Sequence, residues 1–248
     1  HITGEGELAE NFSWSTASDD YELSIAEPSR TYSSRISTSN ASVQLVKPDG
    51  TTIMYTNMAD AIIGGNNNPG CTLKLLKDVS TSIGFRAISK QVTIDLNGFT
   101  WNMGGHVNIT GHVTFTNSNH TKNGQIIASA SSVAAFSIKG GNMIIENGVS
   151  LKGNTILLEN PNGSLTVGGT INTTGTSNPA IMGNGSGSDG TTITILDGAV
   201  ISSDTLAIYH PQDGTLNIEG GTISGGTSGI EMRAGILNVS GNAKIAGN

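Results

Sequence analysis

From Val92 onward one pattern of apolar and polar positions keeps returning. Two apolar residues flank a single outward position, a short polar or glycine turn follows, and then another apolar position. The apolar pairs are Val92 and Ile94, Val113 and Phe115, Met143 and Ile145, and Leu165 and Val167, and then Ile193 and Ile195, Leu216 and Ile218, and Leu237 and Val239. Taking the second residue of each pair as an anchor gives successive intervals of 21, 30, 22, 28, 23 and 21 residues. A fixed period of about 22 is the signature of a solenoid. The two long intervals contain the polar stretches 117–124 and 183–190, which read as loops protruding from otherwise standard coils.

Each period holds three apolar groups. One coil reads Leu165 and Val167, then Ile171, then Ala180 and Ile181; a later one reads Leu216 and Ile218, Ile223, then Ile230 and Met232. Alternation within each run is strand periodicity, and Gly168-Gly169, Gly220-Gly221 and Gly225-Gly226 mark the breaks. Three short strands per turn make a triangular coil. The predicted fold is all-β, a single-stranded parallel β-helix, right-handed because parallel crossovers almost always are. A leucine-rich repeat shares the period but requires a helical segment and a fixed Asn or Cys, and neither occurs. A two-sheet sandwich would not make every third strand repeat one motif.

A solenoid must hide its end coils, since an open end exposes core and unpaired strand edges. Residues 43–46 and 51–55 around Lys47-Pro48-Asp49-Gly50 predict a hairpin. Met58, Ala59, Ala61, Ile62 and Ile63 predict a short amphipathic helix that ends at Gly64 and Gly65, just before a strand at 72–76, and plugs the first coil. Further upstream, Tyr21, Leu23 and Ile25 alternate like a strand, whereas the Ser-rich stretch 29–42 fits a loop or a poorly apolar edge. The division expected is an N-terminal β segment and hairpin over 1–50, a helix cap and first coil over 51–90, and the β-helix over 91–248. The last coil lacks a matching cover, so the expectation is a fragment of a longer chain or a member of an oligomer.

Composition narrows the partners. Hydrophobic content is 35%, charged residues are 12%, and 34 glycines leave room for only a narrow, regularly spaced core. A net charge of −7 without clustered Lys or Arg argues against nucleic acid. No apolar run approaches the roughly 18 residues of a membrane helix. Cys71 is the single cysteine, so no intramolecular disulfide forms and stability must come from packing and backbone pairing. Low Cys and Lys with abundant Thr and Asn suit an exported bacterial protein, extracellular or at the cell surface.

The segments Thr52-Ile53-Met54-Tyr55-Thr56-Asn57-Met58-Ala59-Asp60-Ala61-Ile62, Leu73-Lys74-Leu75-Leu76-Lys77-Asp78-Val79 and Val92-Thr93-Ile94-Asp95-Leu96-Asn97-Gly98 resemble the opening of pectate-lyase-like β-helices of exported Gram-positive bacterial and phage proteins. Leu216-Asn217-Ile218-Glu219-Gly220-Gly221-Thr222-Ile223 is similar to their coil consensus. The resemblance covers about residues 43–248 and implies architecture. Polysaccharide lyases, glycoside hydrolases, adhesin stalks and tailspikes all share it, so it does not select a function.

The enzymes of that superfamily direct attention to paired carboxylates or an acidic calcium site. The chain carries no pectate-lyase-like Asp cluster and no polygalacturonase-like Asn-Thr-Asp or Asp-Asp motif with a following His-Gly. Asp197 and Asp204, seven residues apart, are the candidate catalytic pair, an arrangement similar to the two nearby aspartates of β-helix lacto-N-biosidases; equally, each fits a turn. Aligning the third strand of successive coils brings Met182, Tyr209 and Glu231 into register with His210 and Arg233 close by. An aromatic face beside a carboxylate, an imidazole and a guanidinium forms a candidate ligand-binding surface for sugars. The bland alternative is a surface ion pair beside a half-buried tyrosine. His106, His112, His120 and His210 have no zinc spacing, and Gly185-Ser186-Gly187-Ser188-Asp189-Gly190 is a lone copy of a calcium-binding turn that works only in tandem, so neither a metal nor a cofactor is expected. The favoured expectation is a non-catalytic carbohydrate-binding or adhesive module with a glycan as partner. A glycoside hydrolase or polysaccharide lyase built on Asp197 and Asp204 is the alternative.

Overall fold

The computed structural model describes residues 40–81, 86–129, 134–173 and 177–247, together with backbone strands at 12–17, 20–27 and 30–37. The chain divides into two compact units, His1–Ala41 and Ser42–Asn248. In the first, strands Phe12–Ala17, Asp20–Glu27 and Arg30–Ser37 form an antiparallel meander. The expected strand through Tyr21, Leu23 and Ile25 is its middle member, and the Ser-rich stretch contributes an edge strand.

The second unit is a parallel β-solenoid of eight coils. Three sheets run its length, with ten, eight and seven strands in the order the chain visits them; they are called here sheets 1, 2 and 3. The seven anchors read from the sequence stack in unbroken register, from Ile94 on Phe115 through Ile145, Val167, Ile195 and Ile218 to Val239, and Leu73 extends the ladder one coil further. Strands are only three to five residues long in the coils, and inward residues alternate with outward ones, as in the buried-intermediate-buried pattern of Cys71–Leu75. Such strands are short because the chain turns after each one, at most corners through a glycine or asparagine. Asn97 and Gly98, at φ 49° and 78°, adopt left-handed backbone there.

Inside the coils Ile, Leu and Val stack on their own kind, each fully buried aliphatic side chain contributing about 1.5–3 kcal/mol. Phe115 of sheet 1, Trp101 of sheet 2 and Phe136 of sheet 3 meet on the axis. Their ring centroids lie 6.4 Å (Trp101–Phe115), 6.3 Å (Trp101–Phe136) and 5.2 Å (Phe115–Phe136) apart. The Trp101 indole N–H donates to Thr81 Oγ1 at 3.2 Å, so the one polar atom of this cluster is satisfied.

The N-terminal cover differs from expectation in two ways. The hairpin Val43–Val46 and Thr52–Tyr55 joins sheet 1, its first strand pairing antiparallel with Cys71–Leu75. Moreover, the helix continues through Gly64 and Gly65 to span Met58–Asn67. The glycines are needed within it: a Cβ on Gly64 would strike the Tyr55 ring, and one on Gly65 would press on Val92 and Leu73. Asn57 caps the helix by accepting the Asp60 N–H at 2.9 Å. Met58, Ala61 and Ile62 are buried against the hairpin and first coil, as a plug requires. At the opposite end, Leu237, Val239 and Ile245 hold inward positions but are covered from one side only and remain exposed.

The long coils gain residues at more corners than the loops 117–124 and 183–190 alone. More residues also separate strand Gly124–Ala128 from Phe136–Lys139, and Thr170–Thr173 from Ile181–Gly183, than separate the matching strands of the shorter coils. The first loop is stitched down by a buried carboxylate: Asp95 accepts from Asn97 N at 2.9 Å and from Ser118 N and Oγ at 2.9 and 2.7 Å, with Lys74 Nζ at 3.8 Å.

Candidate functional site

The outward positions of the three sheets differ in chemistry. Sheet 1 presents mainly hydroxyls, as in the row Thr72, Thr93, Thr114, then Thr166 and Thr194 beyond the lone Ile144. Sheet 2 presents Thr100, Gln125, Ser150, Thr170 and Thr222, again with one aliphatic interruption, Val200. On sheet 3, three consecutive coils place Leu157, Met182 and Tyr209 side by side, followed by Glu231. Neighbours in such a row stand about 4.8 Å apart. All three apolar side chains are half-buried.

Two residues beyond Ser137, Leu157, Met182 and Glu231 lie polar side chains, with Pro211 at the matching place in the Tyr209 coil. Lys139 Nζ pairs with Glu159 Oε1 at 3.2 Å, Asn184 Nδ2 donates to the Glu159 carbonyl at 3.4 Å, and Arg233 Nε donates to Glu231 Oε1 at 2.7 Å. The Arg233 guanidinium stacks 5.3 Å from the Tyr209 ring centroid. Its hydrogen bond with Glu231 raises its already high pKa, so the cation is permanent. Arg233 is 64% exposed and Glu231 35%, which leaves donor and acceptor facing water while the stack fixes their direction.

No family model, curated protein or solved structure matches the chain. The likeness to pectate-lyase-like proteins therefore stands at the level of a parallel β-solenoid.

Met182, Tyr209, Glu231 and Arg233 come together as the alignment of third strands expects. His210 does not join them. Strand alternation that turns Tyr209 outward turns His210 inward, and it is fully buried. Its Nδ1–H donates to the Ala234 carbonyl at 3.1 Å, and its backbone carbonyl accepts the Arg233 N–H at 2.9 Å. Burial depresses its pKa below the ordinary histidine value. Next to it along the chain, Gln212 is also fully buried and donates through Nε2 to Thr191 Oγ1 at 3.0 Å. His210 and Gln212 thus form an internal polar corner beneath Arg233. Strand alternation already turns His210 inward, whereas Gln212 lies past the end of strand Leu206–His210 and carries no such signal.

Asp197 and Asp204 are not brought together. Strand Val200–Ser203 lies between them, and its four extended residues alone rise about 10 Å from first to last. A glycosidase pair needs roughly 5 to 9.5 Å. Asp197 sits in the turn before Gly198, whose φ is 79°, and Asp204 in the next corner; both are exposed. The segment Gly185–Ser188 forms a short 3-10 helix held by Ser188 Oγ, which accepts the Asn184 N–H at 2.7 Å. Among the described residues no three His, Cys, Asp or Glu side chains gather as metal ligands, and no helix is long and apolar enough to cross a membrane.

Leu157, Lys139, Glu159 and Asn184 also belong to this face and went unread. Carrying the third-strand alignment one coil back would have found Leu157. The added residues between strands Thr170–Thr173 and Ile181–Gly183, which stretch the step from Leu157 to Met182, hid that signal.

Proposed function

We propose that this chain is a rigid, non-catalytic β-solenoid module of an extracellular or cell-surface protein, and that it binds glycan along the outer face of sheet 3. One observation carries the reading: Leu157, Met182 and Tyr209 form a continuous apolar row, bordered by Asn184 and the Glu231–Arg233 pair, where the other two sheets interrupt hydroxyl rows with single aliphatics. Sugar rings present C–H faces that rest on apolar and aromatic surface, while their hydroxyls take amide, carboxylate and guanidinium partners. A rod with one such position per coil favours an extended oligosaccharide lying along the axis.

A glycan array with the purified chain tests this, alongside Tyr209→Ala and Arg233→Ala, with circular dichroism confirming that both variants fold. Removing a central aromatic or arginine anchor costs about 2 kcal/mol or more, some thirtyfold in affinity. Binding that survives both substitutions would place the site elsewhere. Failure to bind any glycan would remove the carbohydrate reading.

A further inference from the structure

Five Asn–Gly pairs punctuate the solenoid, at Asn97, Asn123, Asn147, Asn162 and Asn184. Such a pair can modify itself. The glycine backbone nitrogen loses its proton to base and attacks the asparagine Cγ; the new C–N bond forms as the bond to the side-chain amide nitrogen breaks, and ammonia leaves. Water then opens the resulting succinimide at either carbonyl, giving aspartate or isoaspartate. Glycine favours the attack because no Cβ shields its nitrogen. Folding opposes it wherever that N–H, or the asparagine amide, is already engaged or buried.

Four of the five pairs are held. Asn97 donates through Nδ2 to the Leu75 carbonyl at 3.0 Å, and Gly98 N donates to Asn117 Oδ1 at 2.6 Å. Gly124 N, after Asn123, donates to the Gly148 carbonyl at 3.0 Å. Gly163, after Asn162, is buried under Ile138, and the Asn162 Oδ1 packs on Gly190. Asn184 is tied through Nδ2 to the Glu159 carbonyl at 3.4 Å.

Asn147 differs on every count. It lies on the corner between sheets 1 and 2, in the turn Glu146 to Val149; its side chain is exposed, and among the described residues it makes no hydrogen bond. Gly148 N likewise has no acceptor among the described residues, and Gly148 holds φ 85°. We infer that Asn147 is a site of spontaneous deamidation in the folded protein, with water as co-reactant. The product adds one negative charge to the chain's −7. In its isoaspartyl form it also lengthens the backbone immediately before Gly148, whose carbonyl anchors Gly124 in the preceding coil.

Native protein aged in mildly alkaline buffer, digested with trypsin and analysed by mass spectrometry with isoaspartate-specific methylation, provides the test. Cleavage after Lys139 and Lys152 isolates Asn147 in peptide 140–152, free of the other four pairs. Each engaged hydrogen bond slows reaction by about threefold to tenfold, so Asn147 should outpace Asn97, which has two, by roughly tenfold or more. A urea-unfolded sample should react at all five sites, and Asn147→Gln should silence peptide 140–152. Equal native rates at the five sites, a silent peptide 140–152 in the native sample, or product there in the Asn147→Gln variant would each overturn the assignment.

Discussion

Phe115→Ala probes the core where all three sheets meet. The ring is fully buried and packs on Phe136 at 5.2 Å and Trp101 at 6.4 Å, so its removal opens a cavity on the axis that neither neighbour can close without leaving its own sheet position. Truncating a buried phenylalanine costs about 3–5 kcal/mol, and the loss of two ring pairs, each about 0.5–1.5 kcal/mol, places this site in the upper half of that range. A loss of about 4 kcal/mol corresponds to roughly 8–16 °C in Tm for a chain of this size. Urea unfolding followed by far-ultraviolet circular dichroism, with Trp101 fluorescence as the local probe, measures it at an unchanged transition slope. Phe115→Leu, which keeps most of the volume, should cost about 1.5 kcal/mol. If Phe115→Ala costs under about 1 kcal/mol, or no more than Phe115→Leu, the three rings do not support one another as argued.

Three other substitutions test the internal corner and the backbone. Because burial lowers the folded-state pKa of His210 beneath its unfolded value of about 6.5, the unfolded chain binds more protons below that pH. Stability should therefore fall as pH drops through about 6.5, levelling off beneath the folded-state pKa, and His210→Gln should lose less Tm between neutral and acidic buffer than wild type; an identical loss would show that His210 does not contribute. Gly153 and Gly198 both have positive φ, 110° and 79°, but a Cβ would strike the Ala128 carbonyl at Gly153 and meet nothing within 4 Å at Gly198. Gly198→Ala should cost about 1 kcal/mol from backbone strain alone and Gly153→Ala clearly more; equal melting temperatures would refute the contact argument.

Much of the fold was legible because a solenoid writes one local rule repeatedly. Inward positions every second residue, a glycine or asparagine at most corners and a period near 22 placed the sheet 1 anchors in the register the structure holds. Reading Gly64-Gly65 as a stop failed because glycine favours helix ends by local propensity, whereas here its lack of a side chain admits Tyr55, Val92 and Leu73. For the candidate site, alternation correctly aimed Tyr209 and Glu231 outward. The same alternation should have removed His210 from that surface, since adjacent strand residues face opposite ways.

Residue order by itself determined the coil, its period, the three strands per turn and the outward direction of Tyr209, because each follows from spacing along the chain. Only the tertiary structure decided that Leu157 and Asn184 stand beside that tyrosine, that Arg233 stacks on it, and that Asp197 and Asp204 lie at opposite ends of a strand. The reason is that loops of different length join the coils. A pitch set by backbone hydrogen bonding keeps neighbouring strands about 4.8 Å apart however many residues intervene, so contact across coils depends on register, which loop length conceals from the sequence.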